Sequence, residues 1–140
     1  MNWLLDTNAV SEPTKLRPNQ GFIEWLAGND EDRMFISAAT LAELHFGVQR
    51  LPEGKRRESL HRWLDEELTA RFEGRILAID DAVARSWGIL SAKRESAGHP
   101  ISAIDGFIAA TALIHDLTIV TRNIQDFGPL GSRTLCPWRT

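Results

Sequence analysis

The alternation of short apolar runs with helix-length segments is what most narrows the folds open to this chain. Trp3-Leu4-Leu5, Met34-Phe35-Ile36, Ile76-Leu77-Ala78-Ile79 and Thr118-Ile119-Val120-Thr121 are apolar or β-branched with little polar alternation. Runs of this kind read as strands covered on both faces, the condition of a parallel sheet. No two of them are joined by a tight turn, and the stretches between them carry helical periodicity. The expected fold class is therefore α/β, a mostly parallel central sheet covered by helices. A chain of 140 residues without repeat or linker is expected to form one domain, 1–140.

Capping residues mark the helices. Pro18 or Asn19 opens one that carries Phe22, Ile23, Trp25 and Leu26 and stops at Gly28; the preceding Ser11 to Asn19 reads as a turn-rich loop. Ser37 is expected to cap a helix with Leu41, Leu44, Phe46 and Val48. Leu60, Leu64 and Leu68 predict a helix over 55–72, and Asp80 one that carries Val83, Trp87 and Leu90. After Ser102, Asp105 precedes a helix rich in alanine. The tail holds a turn or short helix at Asn123–Phe127 and an edge strand within Arg133–Trp138.

The net charge of -3 argues against a protein that coats nucleic acid through bulk charge, though a local basic rim would be hidden in that total. Cys136 is the lone cysteine, which excludes an internal disulfide and a thiolate metal cluster and agrees with a cytoplasmic location. The apolar run before Asp6 is far too short for a membrane span or signal peptide, so no membrane role is expected.

Four acids stand out by position. Asp6 ends the first strand, where an open α/β sheet places its functional groups. Glu43 shares a helix face with Thr40 and Gly47, Asp105 lies near a helix start, and Asp126 follows the fourth strand. Each alone also reads as a cap, a turn residue or a solvated acid. Brought together, they would raise one another's pKa and cost stability unless a hard divalent cation offset the repulsion. Such a centre suits phosphoryl chemistry. The histidines at 45, 61, 99 and 115 lack metal-ligand spacing, and Ser37, His45 and Cys136 form no nucleophilic arrangement.

Asp6-Thr7-Asn8, Ala42-Glu43-Leu44, Asp105-Gly106-Phe107-Ile108-Ala109-Ala110-Thr111-Ala112 and Thr121-Arg122-Asn123-Ile124-Gln125-Asp126-Phe127 resemble the four signature blocks of PIN-domain proteins. The nearest likeness is to VapC/FitB-type toxins of bacterial type II toxin–antitoxin modules, and it runs nearly end to end. The resemblance implies a PIN-like three-layer α/β/α sandwich with a mostly parallel central sheet, and a Mg²⁺- or Mn²⁺-dependent endoribonuclease that hydrolyses RNA, such as tRNA, with a metal-activated water. It carries three acids over to Asp6, Glu43 and Asp105. The fourth position falls on Asp126 or on Asn123, with Asp126 favoured as an outer acid and Asn123 as a residue that orients water or ligand. Thr7, Asn8 and Thr121 suit supporting hydrogen bonds.

The family further implies a homodimer and a cognate antitoxin protein, assembled as a heterotetramer or larger. Lys15, Arg17, Arg50, Lys55, Arg56, Arg57 and Arg122 are the candidates for phosphate contacts. An apolar face with Phe22, Trp25, Leu44 or Phe46 is a candidate for a partner helix, with internal packing as the competing reading. The competing function is a PIN-like module that binds RNA or protein without cutting it.

Overall fold

Trp3–Leu5 (β1) lies in the middle of a five-stranded sheet, flanked by Met34–Ser37 (β2) and Thr118–Val120 (β4). Ile76–Leu77 (β3) and Thr134–Leu135 (β5) form the edges, giving the order β3-β2-β1-β4-β5 with every neighbouring pair parallel. The computed structural model describes residues 1–140.

Strand geometry sorts the apolar side chains into two cores. Successive residues point to opposite faces, so Leu4 and Ile119 join one cluster while Leu5 and Val120 join the other. The Leu5 and Val120 cluster, taken first, is closed by Gln20–Ala27 (α2), Ala38–Gln49 (α3) and Lys55–Arg62 (α4), through Phe22, Leu44, Val48 and the half-buried Leu60. Asp81–Ser96 (α6) and Ala103–His115 (α7) cover the second, through Leu90, Ile108, Ala109 and Ala112. The expected three-layer sandwich is the observed one.

The caps at Asn19, Ser37, Asp80 and Ser102 all form, each side chain accepting a backbone N–H of the first turn. Two local features depart from expectation. Thr7–Ser11 is a helix (α1) that begins directly after β1 and runs into a 3₁₀ turn at Glu12–Thr14, so part of the expected loop is helical. Its periodicity is too brief to register in sequence, and the cap comes from Asp6 itself, whose carboxylate accepts the Ala9 N–H at 2.9 Å. The long helix also does not stay α-helical. Beyond α4 it widens into a π-helical stretch, Trp63–Leu68, before Thr69–Arg71 (α5). Leu64 and Leu68 are both buried there, and Thr69 Oγ1 donates to the Leu64 carbonyl five residues back at 2.9 Å.

The chain's end closes over its beginning. Trp138 stacks on Phe22 with ring centroids 4.6 Å apart, and its Nε1 donates to Glu12 Oε1 at 2.7 Å. The Asn19 N–H and Lys15 Nζ complete the Glu12 carboxylate at 3.0 Å each. Asn19 and Arg139 exchange side-chain and backbone bonds at 2.6 and 3.0 Å, and Arg139 pairs with Glu24. The strap crosses Gly21 so closely that a Cβ there would meet Arg139 Cγ at 2.5 Å and the Pro137 carbonyl at 2.8 Å. Gly21→Ala is therefore expected to cost about 1–3 kcal/mol by overpacking, read as a lowered urea midpoint with an unchanged slope.

Candidate active site

The strand order reverses between β1 and β4: the chain builds outward through β2 and β3, then returns to the other side of β1. In open parallel sheets the crevice at the carboxyl end of such a switch is where ligands bind. Asp6 leaves β1 at this point, and Thr121-Arg122-Asn123 leaves β4 beside it, followed by Ile124–Phe127 (α8), which carries Asp126. Glu43 sits midway along α3 and Asp105 in the first turn of α7.

The electrostatics join these four acids. Asp6 is buried at 5% exposure. Burial pushes its carboxyl above the usual range; Thr121 and the Ala9 N–H pull it down, and the charges of Asp105 and Glu43 push it up again. Asp105 is half-buried, and its carboxyl is likewise raised, first by burial and then by Asp126 and Glu43, against the Ser102 hydroxyl. Each of the two inner acids therefore senses two others. Glu43 and Asp126 are exposed and form the rim. None of the four makes a salt bridge with Lys, Arg or His. That distinguishes them from Glu12, whose carboxyl is pushed up by burial but held below the usual range by Trp138, Asn19 and Lys15 together.

This donor set fits a hard cation. All of its ligating atoms are oxygens, it is uncompensated by any basic residue, and the Thr40 hydroxyl, one turn before Glu43, is buried without a hydrogen-bond partner. The fit is to a partly hydrated ion: no three acid, histidine or cysteine side chains are drawn together as a ready-made cage. Mg²⁺ commonly keeps several waters and takes one or two carboxylates directly.

Supporting contacts are visible at two points. Thr121 is fully buried beside Asp6, whose carboxyl it pulls down; its Oγ1 accepts the Asn123 N–H at 3.0 Å, and the Asp6 N–H donates to the carbonyl of the preceding Val120 at 3.1 Å. The residue thus ties the β4 exit to the β1 exit. Asn123 itself is exposed and does not cap α8 with its side chain. Thr7 Oγ1 is buried without a partner.

Of the basic candidates, Lys15 is held by Glu12 and Arg57 by Gln49. Arg17, Arg50, Lys55, Arg56 and Arg122 have no acidic partner, and Arg50 lies over the Phe46 ring. The apolar residues considered for a partner helix divide. Phe22 and Leu44 are core and Trp25 packs on it, whereas Phe46 stays 63% exposed. Sequence reasoning passed over Glu12, which lies in a polar stretch and finds its partner 126 residues away. No local signal marks such a pair.

The chain belongs to the PIN-domain family, whose model matches residues 3–127. It is 38% identical over 135 residues to Toxin FitB of Neisseria gonorrhoeae, covering 96% of this chain and 97% of that one. To VapC ribonuclease Y4jK of Sinorhizobium fredii it is 36% identical over 135 residues, covering 96% of each. The crystal structure of FitAcB from Neisseria gonorrhoeae superposes with a TM-score of 0.91 at 38% identity, covering 99% of both chains. The structure of FitAB bound to an IR36 DNA fragment gives 0.90 at 36%, covering 99% of this chain and 96% of that one. No helix of the present chain is long and apolar enough to cross a membrane.

Proposed function

We propose that this protein is the endoribonuclease toxin of a toxin–antitoxin pair, cutting RNA phosphodiesters with Mg²⁺ or Mn²⁺ at Asp6, Glu43, Asp105 and Asp126. The single observation that supports the reading is the pair of recessed acids, Asp6 and Asp105, each raised by neighbouring acids and none of the four held by a basic partner, at the sheet's switch point. Kinship with Toxin FitB and a VapC ribonuclease supports it.

Asp6 and Asp105, the two recessed acids, would hold the cation directly, with the exposed Glu43 and Asp126 reaching it through water. A divalent ion there supplies positive charge to a phosphodiester oxygen and acidifies water. Glu43 stands on the rim, where its carboxylate takes the proton of the attacking water. As the water oxygen bonds to phosphorus, the bond to the 3′ oxygen breaks and that oxygen takes a proton from solvent water, giving a 5′-phosphate and a 3′-hydroxyl. Asn123, next to the Thr121 tie, orients water or substrate. Arg122, next to Asn123 in the chain, and Arg50, two turns after Glu43, are the proposed contacts to phosphates flanking the scissile one.

The partners proposed with this activity are a second copy of the chain and an antitoxin protein, in keeping with the solved FitAB complex. We propose a cytoplasmic location for the pair and a single domain across the 140 residues.

The test is incubation of the partner-free protein with total RNA in Mg²⁺, with end-mapping of the products. Cleavage that stops with EDTA, returns with Mn²⁺ and leaves 5′-phosphates is expected. Binding without metal-dependent cleavage would instead favour the non-cutting module.

A further inference from the structure

The direction of Asp105 is fixed by more than its own helix. Its neighbours Ala103, Gly106 and Phe107 all meet one side chain, Trp87 of α6. The indole Nε1 donates to the Ala103 carbonyl at 3.1 Å. The indole stacks on Phe107 with centroids 5.0 Å apart and planes 17° from parallel. It also lies against Gly106 so closely that a Cβ there would meet Nε1 at 2.7 Å and Cδ1 at 2.9 Å. At 3.6 residues per turn, positions 103, 106 and 107 share one helix face and 105 points to nearly the opposite side.

We propose that Trp87 is the positioning residue for the acid centre: by gripping that face of α7's first turn it aims the Asp105 carboxylate at the cation. This rests on the acid-centre reading above. The Ser102 cap fixes where the helix starts, but a cap leaves the turn free to roll against α6. The indole removes that freedom by occupying the space vacated at Gly106 and by bonding to a carbonyl two residues before the acid.

The experiment is Mn²⁺ titration of the partner-free chain, followed by electron paramagnetic resonance, alongside thermal melts. Trp87→Phe keeps a ring against Phe107 and loses the N–H, and it is expected to weaken Mn²⁺ binding about tenfold. Leu90→Ala trims a different α6 side chain, one that packs on the core and makes no bond to Ala103 or stack on Phe107; it is expected to lower the melting temperature and leave the Mn²⁺ affinity unchanged. Wild-type affinity in Trp87→Phe, or an equal loss in Leu90→Ala, overturns the proposal while leaving the acid centre standing. Mn²⁺ binding that is indifferent to both Asp6→Asn and Asp105→Asn overturns the acid centre and the proposal with it.

Discussion

Asp6→Asn is expected to lower RNA cleavage by at least about a thousandfold, or roughly 4 kcal/mol of transition-state stabilisation, while making the metal-free protein more stable. The two effects share one cause. The wild-type carboxyl is buried against Asp105 and Glu43 with its pKa raised, so the folded state is penalised for carrying the charge. A raised carboxyl contributes stability that is fully present below its unfolded pKa and lost as pH rises through the folded one. The metal-free wild type therefore carries the penalty as pH rises through the folded pKa, and asparagine removes it. Asparagine also still accepts the Ala9 N–H as an N-cap. A gain of about 1 kcal/mol would raise the melting temperature by about 3–5 °C. Saturating Mg²⁺ should reverse the order, because only the wild type gains binding energy from the ion. Scanning calorimetry with EDTA and with Mg²⁺, paired with cleavage of end-labelled RNA, checks both halves. A variant less stable than wild type in EDTA would mean that this charge is compensated by contacts other than the ion.

The second large effect is on folding. Glu12→Ala is expected to cost about 1–3 kcal/mol, since it removes the acceptor of the half-buried Trp138 indole N–H and Asn19 N–H. The sign of the pH dependence is opposite to that of Asp6. The Glu12 pKa is depressed, so its contribution is present above the unfolded value and lost as pH falls through the folded one. Wild-type stability should decline on acidification through that window, and Glu12→Gln should flatten the decline. Urea titrations between neutral and acid pH read both. Because Glu12 lies at the end of α1 away from the Asp6 cap, the folded fraction of Glu12→Gln is expected to keep its metal affinity.

The comparison of sequence with structure separates local from distant information. Strand cores and caps were legible because each depends on a few neighbouring residues: Leu4 and Leu5 need only the pleat, and Ser37 and Asp80 need only the next turn. The short helix after Asp6 was hidden by its length, and the π-helical widening at Trp63–Leu68 by a leucine spacing that fits an α-helix equally well. At the site, the four acids could be nominated one at a time, but their mutual influence arises from strand order, which brings β4 back beside β1. The Glu12 strap and the Trp87 grip are tertiary facts. Glycines 21 and 106 mark both, yet each is just a small residue in a helix until the partner across it is seen.

A cation held between Asp6 and Asp105 is the central expectation. Crystals of the protein soaked in Mn²⁺ and measured at the manganese absorption edge are predicted to show anomalous density between the carboxylates of Asp6 and Asp105, with Glu43 and Asp126 contacting the ion or its waters. Manganese bound elsewhere, with that cavity empty at saturating concentration, would contradict it.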